Sequence, residues 1–180
     1  MPFGIRPVGH LSSSDWTSHQ RRIPIATNYS TKIYQHDPVV MSSGNIVRGV
    51  AAAPILGVLM GVQYVDPNGK QVFKNWWPGL TGCTDIWATV TDDPNIVYEA
   101  ETGVGVGNIS NSYRGAQVDF ALGSGNDTLG KSGAYVGGSG GKNFTVYDIP
   151  RAPGNELGTT MRRVLLTILQ HSLYDYELST

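Results

Sequence analysis

Gly49-Val-Ala-Ala-Ala-Pro-Ile-Leu-Gly-Val-Leu-Met-Gly-Val-Gln63 is apolar, glycine, alanine or proline at every position but Gln63, and its reading decides the fold. A run this apolar is buried, and its β-branched Val and Ile favour a pleated surface over a helix. Gly57 and Gly61 would weaken a helix but suit a bent or bulged strand. The stretch therefore predicts a strand or pair of strands over Pro54–Val65, running through the core of a β-protein.

Outward from it, short β-like runs alternate with turn residues. Arg21–Thr27 is the first strand predicted; Val39–Met41 and Ile46–Val50 flank the hairpin residues Ser42-Ser43-Gly44-Asn45. Asp66-Pro-Asn-Gly69 fixes a turn into Gln71–Phe73, and Asp92-Asp93-Pro94-Asn95 joins the alternating runs Asp85–Thr91 and Ile96–Thr102, which reads as another hairpin. Val118–Leu122, Tyr135-Val136 and Phe144–Ile149 are further short strands, with the glycine-rich segment 123–141 read as a loop dispensable for folding. Near the end, Met161, Val164, Leu165, Ile168 and Leu169 have helical spacing, yet Val164–Leu169 would also serve as a strand buried on both faces.

The 180 residues accommodate a single β-domain over 19–171, an extended N-terminal arm over 1–18 and a tail over 172–180. The arm, with Pro2, Pro7 and Ser12-Ser13-Ser14, is expected to order only against a partner. Net charge is −1, with 15% charged residues, so bulk charge attracts neither nucleic acid nor an anionic membrane. Within that balance residues 1–36 carry Arg6, Arg21, Arg22 and Lys32 against Asp15 alone, a weakly basic segment before a weakly acidic body. Cys83 is the single cysteine and cannot form an internal disulfide, which fits synthesis in a reducing cytoplasm. The N-terminus lacks the charged-then-apolar pattern of a secretory leader, and Val50–Val62 is too short and too interrupted to span a bilayer as a helix.

Motifs for chemistry match in letters and fail in context. Gly125-Asn-Asp-Thr-Leu-Gly-Lys-Ser132 fits the P-loop expression, but the residues directly after it, Gly133-Ala-Tyr-Val-Gly-Gly-Ser-Gly-Gly141, cannot hold the helix whose amides would face phosphates. Gly137-Gly-Ser-Gly-Gly141 fits the hydrolase nucleophile pattern only because the segment is rich in glycine. His10, His19, His36 and His171 show no metal-ligand spacing, and Glu99 with Glu101 reads as a solvated strand face. No enzyme, cofactor or metal is expected. Trp76 and Trp77 are adjacent, so in a strand one ring points inward and the other outward, to anchor an interface or stack on a sugar. Trp16, in a polar segment, suggests docking on a partner, and Arg21 and Arg22 supply charge beside it.

Gly4-Ile-Arg-Pro-Val-Gly-His-Leu-Ser12, Asp37-Pro-Val-Val-Met41, Ile46-Val-Arg-Gly-Val50, Ile55-Leu-Gly-Val58, Asp92-Asp-Pro-Asn-Ile-Val-Tyr-Glu99 and Pro153-Gly-Asn-Glu-Leu-Gly158 together resemble a family of tailed-bacteriophage head decoration, or cement, proteins. The resemblance runs with gaps from about residue 4 to 171; Asn75-Trp-Trp-Pro-Gly79, the 123–141 segment and the tail Ser172–Thr180 depart from it. It implies an all-β barrel or sandwich, jelly-roll or β-tulip-like, with a final strand at Val164–Leu169. It also implies a homo-dimer or homo-trimer on the outer surface of an icosahedral head, made in the host bacterial cytoplasm and bound to the major capsid protein. The expected interface residues are Trp16, Arg21, Arg22, Trp76 and Trp77. A reading of a different class is a carbohydrate-binding β-module of a virion surface or fibre, with Trp76 or Trp77 and a nearby Tyr as platform.

Overall fold

The computed structural model describes residues 2–103, 106–158 and 162–173; Met161 and tail residues 174–180 lie outside them. It is all-β. In chain order the strands are β1 (Arg6–His10), β2 (Gln20–Pro24), β3 (Pro38–Ser42), β4 (Asn45–Arg48), β5 (Gly57–Val65), β6 (Gln71–Lys74), β7 (Thr84–Thr91), β8 (Ile96–Glu101), β9 (Gln117–Ala121), β10 (Tyr135–Ser139), β11 (Phe144–Asp148) and β12 (Arg163–Ile168). They form two antiparallel sheets. The first has the order β1-β8-β12-β11-β9-β10 and the second β2-β7-β5-β3-β4, with β6 also paired to β5. The arrangement is sandwich-like, so of barrel and sandwich the barrel is set aside: neither sheet closes on itself.

The stretch that decides the fold lies at the junction of two cores. Ile55 and Val58 pack into a cluster with Ile5, just before β1, and with Tyr98, Phe120, Phe144 and Leu166 of the first sheet, whereas Leu56 and Leu59 face a second cluster with Ile33, Tyr64, Trp77 and Val90. All four are fully buried, each worth about 1.5–3 kcal/mol relative to exposure, which is why an uninterrupted apolar run is needed here. The pairing of β5 with β7 shifts register between Leu59 and Gly61, the irregularity anticipated from the glycines. Strand β12, whose pattern left helix and strand open, pairs with β8 and β11 in the middle of the first sheet.

The turn at Ser43 (φ 47°) and Gly44 (φ 77°) joins β3 to β4 as a tight hairpin. Asp92–Asn95 is not one. Strand β7 belongs to the second sheet and β8 to the first, so this turn carries the chain between sheets; both strands have apolar faces to bury, but in different cores. The N-terminal expectation changes as well. Residues 6–10 pair with β8 as an edge strand and Ile5 is fully buried, so this part of the segment is ordered by its own chain. It is the apolar Ile5 and the open β8 edge, not a partner, that fix it.

The glycine-rich segment 123–141 is likewise integrated rather than dispensable. Gln35 donates its backbone N–H to Gly130 O and accepts at its own carbonyl from Ser132 N–H, and Ser132 Oγ donates to the fully buried Asp37. Asp37 also receives Arg48 Nε at 2.7 Å and the Tyr34 amide at 3.0 Å. Three chain segments are thus tied to one buried carboxylate, whose desolvation these partners offset.

Candidate binding surface

The solvent face of the second sheet carries an aromatic row. Pairings across four strands place Phe73 of β6, Gln63 of β5, Trp87 of β7 and Pro24 of β2 in line, and the neighbouring row holds Gly61, Thr89 and Arg22. Paired residues share a face, so these side chains form one surface. Phe73 is 70% exposed and Trp87 39%. Between them, Arg22 Nη2 donates to Gln63 Oε1 at 3.0 Å, and the Arg22 guanidinium stands 5.6 Å from the Trp87 ring centroid. A shallow groove of about 310 Å³ runs beside Phe73 over Gly61, where the missing side chain leaves the strand low. Exposed aromatic rings beside an arginine held in place by a cation–π contact and an amide are the residue types that anchor contacts with other molecules.

Of the residues expected at an interface, Arg22 is therefore on this surface. Arg21, its neighbour in β2, points to the other side of the strand and pairs with Asp92 at 2.7 Å. Trp16, in a short 3₁₀ turn over Trp16–Ser18, is half-buried and packs back against the first core instead of standing free. The adjacent tryptophans divide as alternation requires. Trp77 is fully buried, its Nε1 donating to Tyr29 O at 2.9 Å and its ring edge-on to Tyr64, so it offers no surface. Trp76 faces outward but stacks on Tyr34, with ring centroids 5.3 Å apart and planes 9° from parallel, and the Lys32 and Lys74 ammonium groups approach within 6.0 and 5.6 Å.

That aromatic pair is covered by the glycine-rich loop. A Cβ on Gly130 would lie 2.1 Å from Trp76 Cδ1, and one on Gly125 would lie 2.3 Å from the Tyr34 ring. Tyr34 donates to Asp127, and burial together with that bond pushes its hydroxyl up to about 12. Bonds from Lys32 and Tyr34 hold the Asp127 carboxyl below the usual carboxylate range. The P-loop-like residues thus build a cover over Trp76, and beyond Ser132 the chain enters β10 rather than a helix. Ser139 ends that strand and pairs with Val118, far from the sharp strand-to-helix turn a hydrolase serine needs. Glu99 is buried and receives Arg6 and Arg163, which gives it a structural duty in place of the solvated face read from the sequence.

Phe73 and Trp87 are surface residues that the expected interface leaves out, although Trp87 belongs to the group of four tryptophans that stands out in the sequence. Their signal is present: each occupies the position in an alternating strand where polar residues belong, next to Val72 and between Ile86 and Ala88. The adjacency of Trp76 and Trp77 is the louder signal, and it points elsewhere. Compared with known proteins, the chain matches no family model, no curated protein and no solved structure.

Proposed function

We propose that this chain is a non-enzymatic virion protein that decorates the outer surface of a tailed-phage head and cements it by binding the major capsid protein lattice as a homo-dimer or homo-trimer. The jelly-roll or β-tulip-like arrangement and the manufacture in a host bacterial cytoplasm belong to the same reading. The observation that carries it is the Phe73–Gln63–Trp87–Arg22 face, two exposed aromatic rings and an arginine gathered on one sheet surface. The sequence words that resemble those of head decoration proteins support it, and several of them are structural here: Asp37 and Arg48 form a buried ion pair, and Asn155 bonds both to Pro150 O and to the Arg163 backbone. The mechanism is linkage: a protein that binds only the expanded lattice stabilises that state by mass action.

Co-sedimentation tests the reading. Purified protein mixed with expanded heads that lack it, assembled from the major capsid protein of the same phage, should pellet saturably. A Phe73→Ser, Trp87→Ser double variant should fold normally and lose at least about tenfold in affinity, as removal of two central anchors does. Wild-type protein that stays in the supernatant at all concentrations would overturn the reading. The carbohydrate-binding alternative now attaches to this face instead of to Trp76, because Phe73 and Trp87 stand on either side of an amide able to bond sugar hydroxyls. A glycan array with signal lost in the same double variant would favour it.

A further inference from the structure

Two crossings between the sheets lie side by side at one corner of the molecule. The segment 11–19 leads from β1 in the first sheet to β2 in the second, and 92–95 leads from β7 in the second to β8 in the first. Leu11 N–H donates to Asn95 O at 2.9 Å, which holds the two together. At this point the histidine at the end of β1, the histidine before β2 and a carboxylate of the second crossing converge: His10 Nε2 stands 3.1 Å and His19 Nδ1 2.8 Å from the same oxygen, Asp93 Oδ2. The two imidazoles stack with centroids 4.5 Å apart.

From this convergence we propose that His10, His19 and Asp93 form a binding site for a divalent transition-metal ion, Zn²⁺ by preference, which clamps the two crossings together. Three ligand atoms lie within 4.8 Å of one another. Two imidazole nitrogens and one carboxylate oxygen suit Zn²⁺ far better than Mg²⁺ or Ca²⁺, which take oxygen ligands. In tetrahedral coordination with bonds of about 2.0–2.1 Å, neighbouring ligand atoms are about 3.3 Å apart, so the oxygen–nitrogen distances need open only slightly.

The groups behind the ligands hold them close to the site, and the near-parallel rings, 17° apart, have to tilt for both lone pairs to meet one ion. Without metal, Ser12 N–H donates to His10 Nδ1, so the ring hydrogen sits on Nε2 facing Asp93; with the ion on Nε2 the hydrogen belongs on Nδ1, where Ser12 Oγ at 2.7 Å accepts it in place of the amide contact, and Ser14 Oγ, 3.3 Å from His19 Nε2, accepts from that nitrogen while Nδ1 binds the ion. Asn95 N–H donates to the other Asp93 oxygen at 2.8 Å. Such outer partners set the tautomer and angle of metal ligands. Access is present as well: His10 and Asp93 are mostly buried, while a polar groove of about 440 Å³ lined by Ser18, His19, Gln20, Asp92 and Asn95 opens on the site and can supply a water as fourth ligand. On binding, each imidazole stays neutral: the hydrogen that points at Asp93 is given up to solvent and the ring's other nitrogen takes one, so His10 Nε2 and His19 Nδ1 present lone pairs to the ion. Since the ligands are separated by 83 residues between His10 and Asp93, the clamp joins distant parts of the chain, and it acts in the isolated protein whether or not the head-binding reading holds.

The test uses untagged full-length protein treated with a chelator and then titrated with zinc chloride in a calorimeter and in thermal melts. One Zn²⁺ per chain should bind, and zinc at about 100 times its dissociation constant should raise Tm by about 5–10 °C. Cobalt chloride should give the intense visible bands of a tetrahedral site. His19→Gln should abolish all three responses while melting as the metal-free wild type does. Should that variant fail to fold, Asp93→Asn, which keeps an acceptor for Asn95, must show the same losses. Absence of saturable zinc binding, or a zinc-dependent rise in Tm that survives in a folded variant, would overturn the proposal.

Discussion

At the scale of single residues, His36 shows how burial becomes a pH dependence. Desolvation lowers its proton affinity to about 4, with the Phe3 carbonyl opposing and the charges of Arg6 and Lys131 adding to the effect. The unfolded chain takes up this proton near 6.5 and the folded chain resists until about 4, so stability is full above pH 6.5 and falls as pH drops through that window. His171, also lowered by burial, acts in the same direction. Allowing for the partial exposure of His36, the loss between pH 7 and pH 4.5 should be roughly 2 kcal/mol, read from urea midpoints. His36→Asn should flatten that dependence, because asparagine tolerates the φ of 69° found there and does not titrate. An unchanged slope would show that other groups govern it. The glycine-rich segment gives a second prediction at this scale. Gly130→Ala, at φ 65° and against Trp76, should cost about 2–4 kcal/mol in chemical denaturation, whereas Gly138→Ala, with open space around it, should stay within about 0.5 kcal/mol. Equal effects would mean that the loop does not rest on the ring.

At the scale of elements, the legible part of the fold is what local chemistry controls. The Ser43-Gly44 hairpin, the Asp66–Gly69 turn and the alternation of Trp76 and Trp77 are written within a few residues, and the structure has them as the sequence predicts. What depends on distant partners is not legible. Asp92-Asp-Pro-Asn95 has hairpin composition, and only the identity of the strands that flank each run, β2 and β5 against β1 and β12, makes it a crossing between sheets. The glycines of 123–133 look like slack until Tyr34 and Trp76 are set beneath them. The convergence of His10 and His19 on Asp93 leaves no trace in spacing for the same reason. Strand β1 supplies the test here. Deleting residues 2–10 removes the buried Ile5, uncovers the β8 edge and takes Arg6 from Glu99, so Tm should fall by more than about 5 °C and the protein should tend to self-associate. A truncated chain that melts with the wild type would restore the free-arm reading.

At the scale of the whole molecule, Phe73 and Trp87 are, with Tyr147 on β11, the large exposed aromatics among the described residues, and the two stand together on one sheet face, which under the proposal suits docking on a fixed lattice. Of the candidate site, Arg22 is legible as charge near the N-terminus and the tryptophans as a group, but which ring is free depends on what covers each: Trp77 by the core, Trp76 by Tyr34 and the loop, Trp87 only in part. The central claim concerns where this face goes. A density map of purified expanded heads carrying the protein, at a resolution that shows β-strands, locates it without any assay on the isolated chain. The account predicts density for the two sheets on the outer head surface with β2, β5, β6 and β7 turned toward the capsid or a neighbouring copy, Phe73 and Trp87 within the contact. Heads bare of this density, or density in which those two rings face solvent, would contradict it.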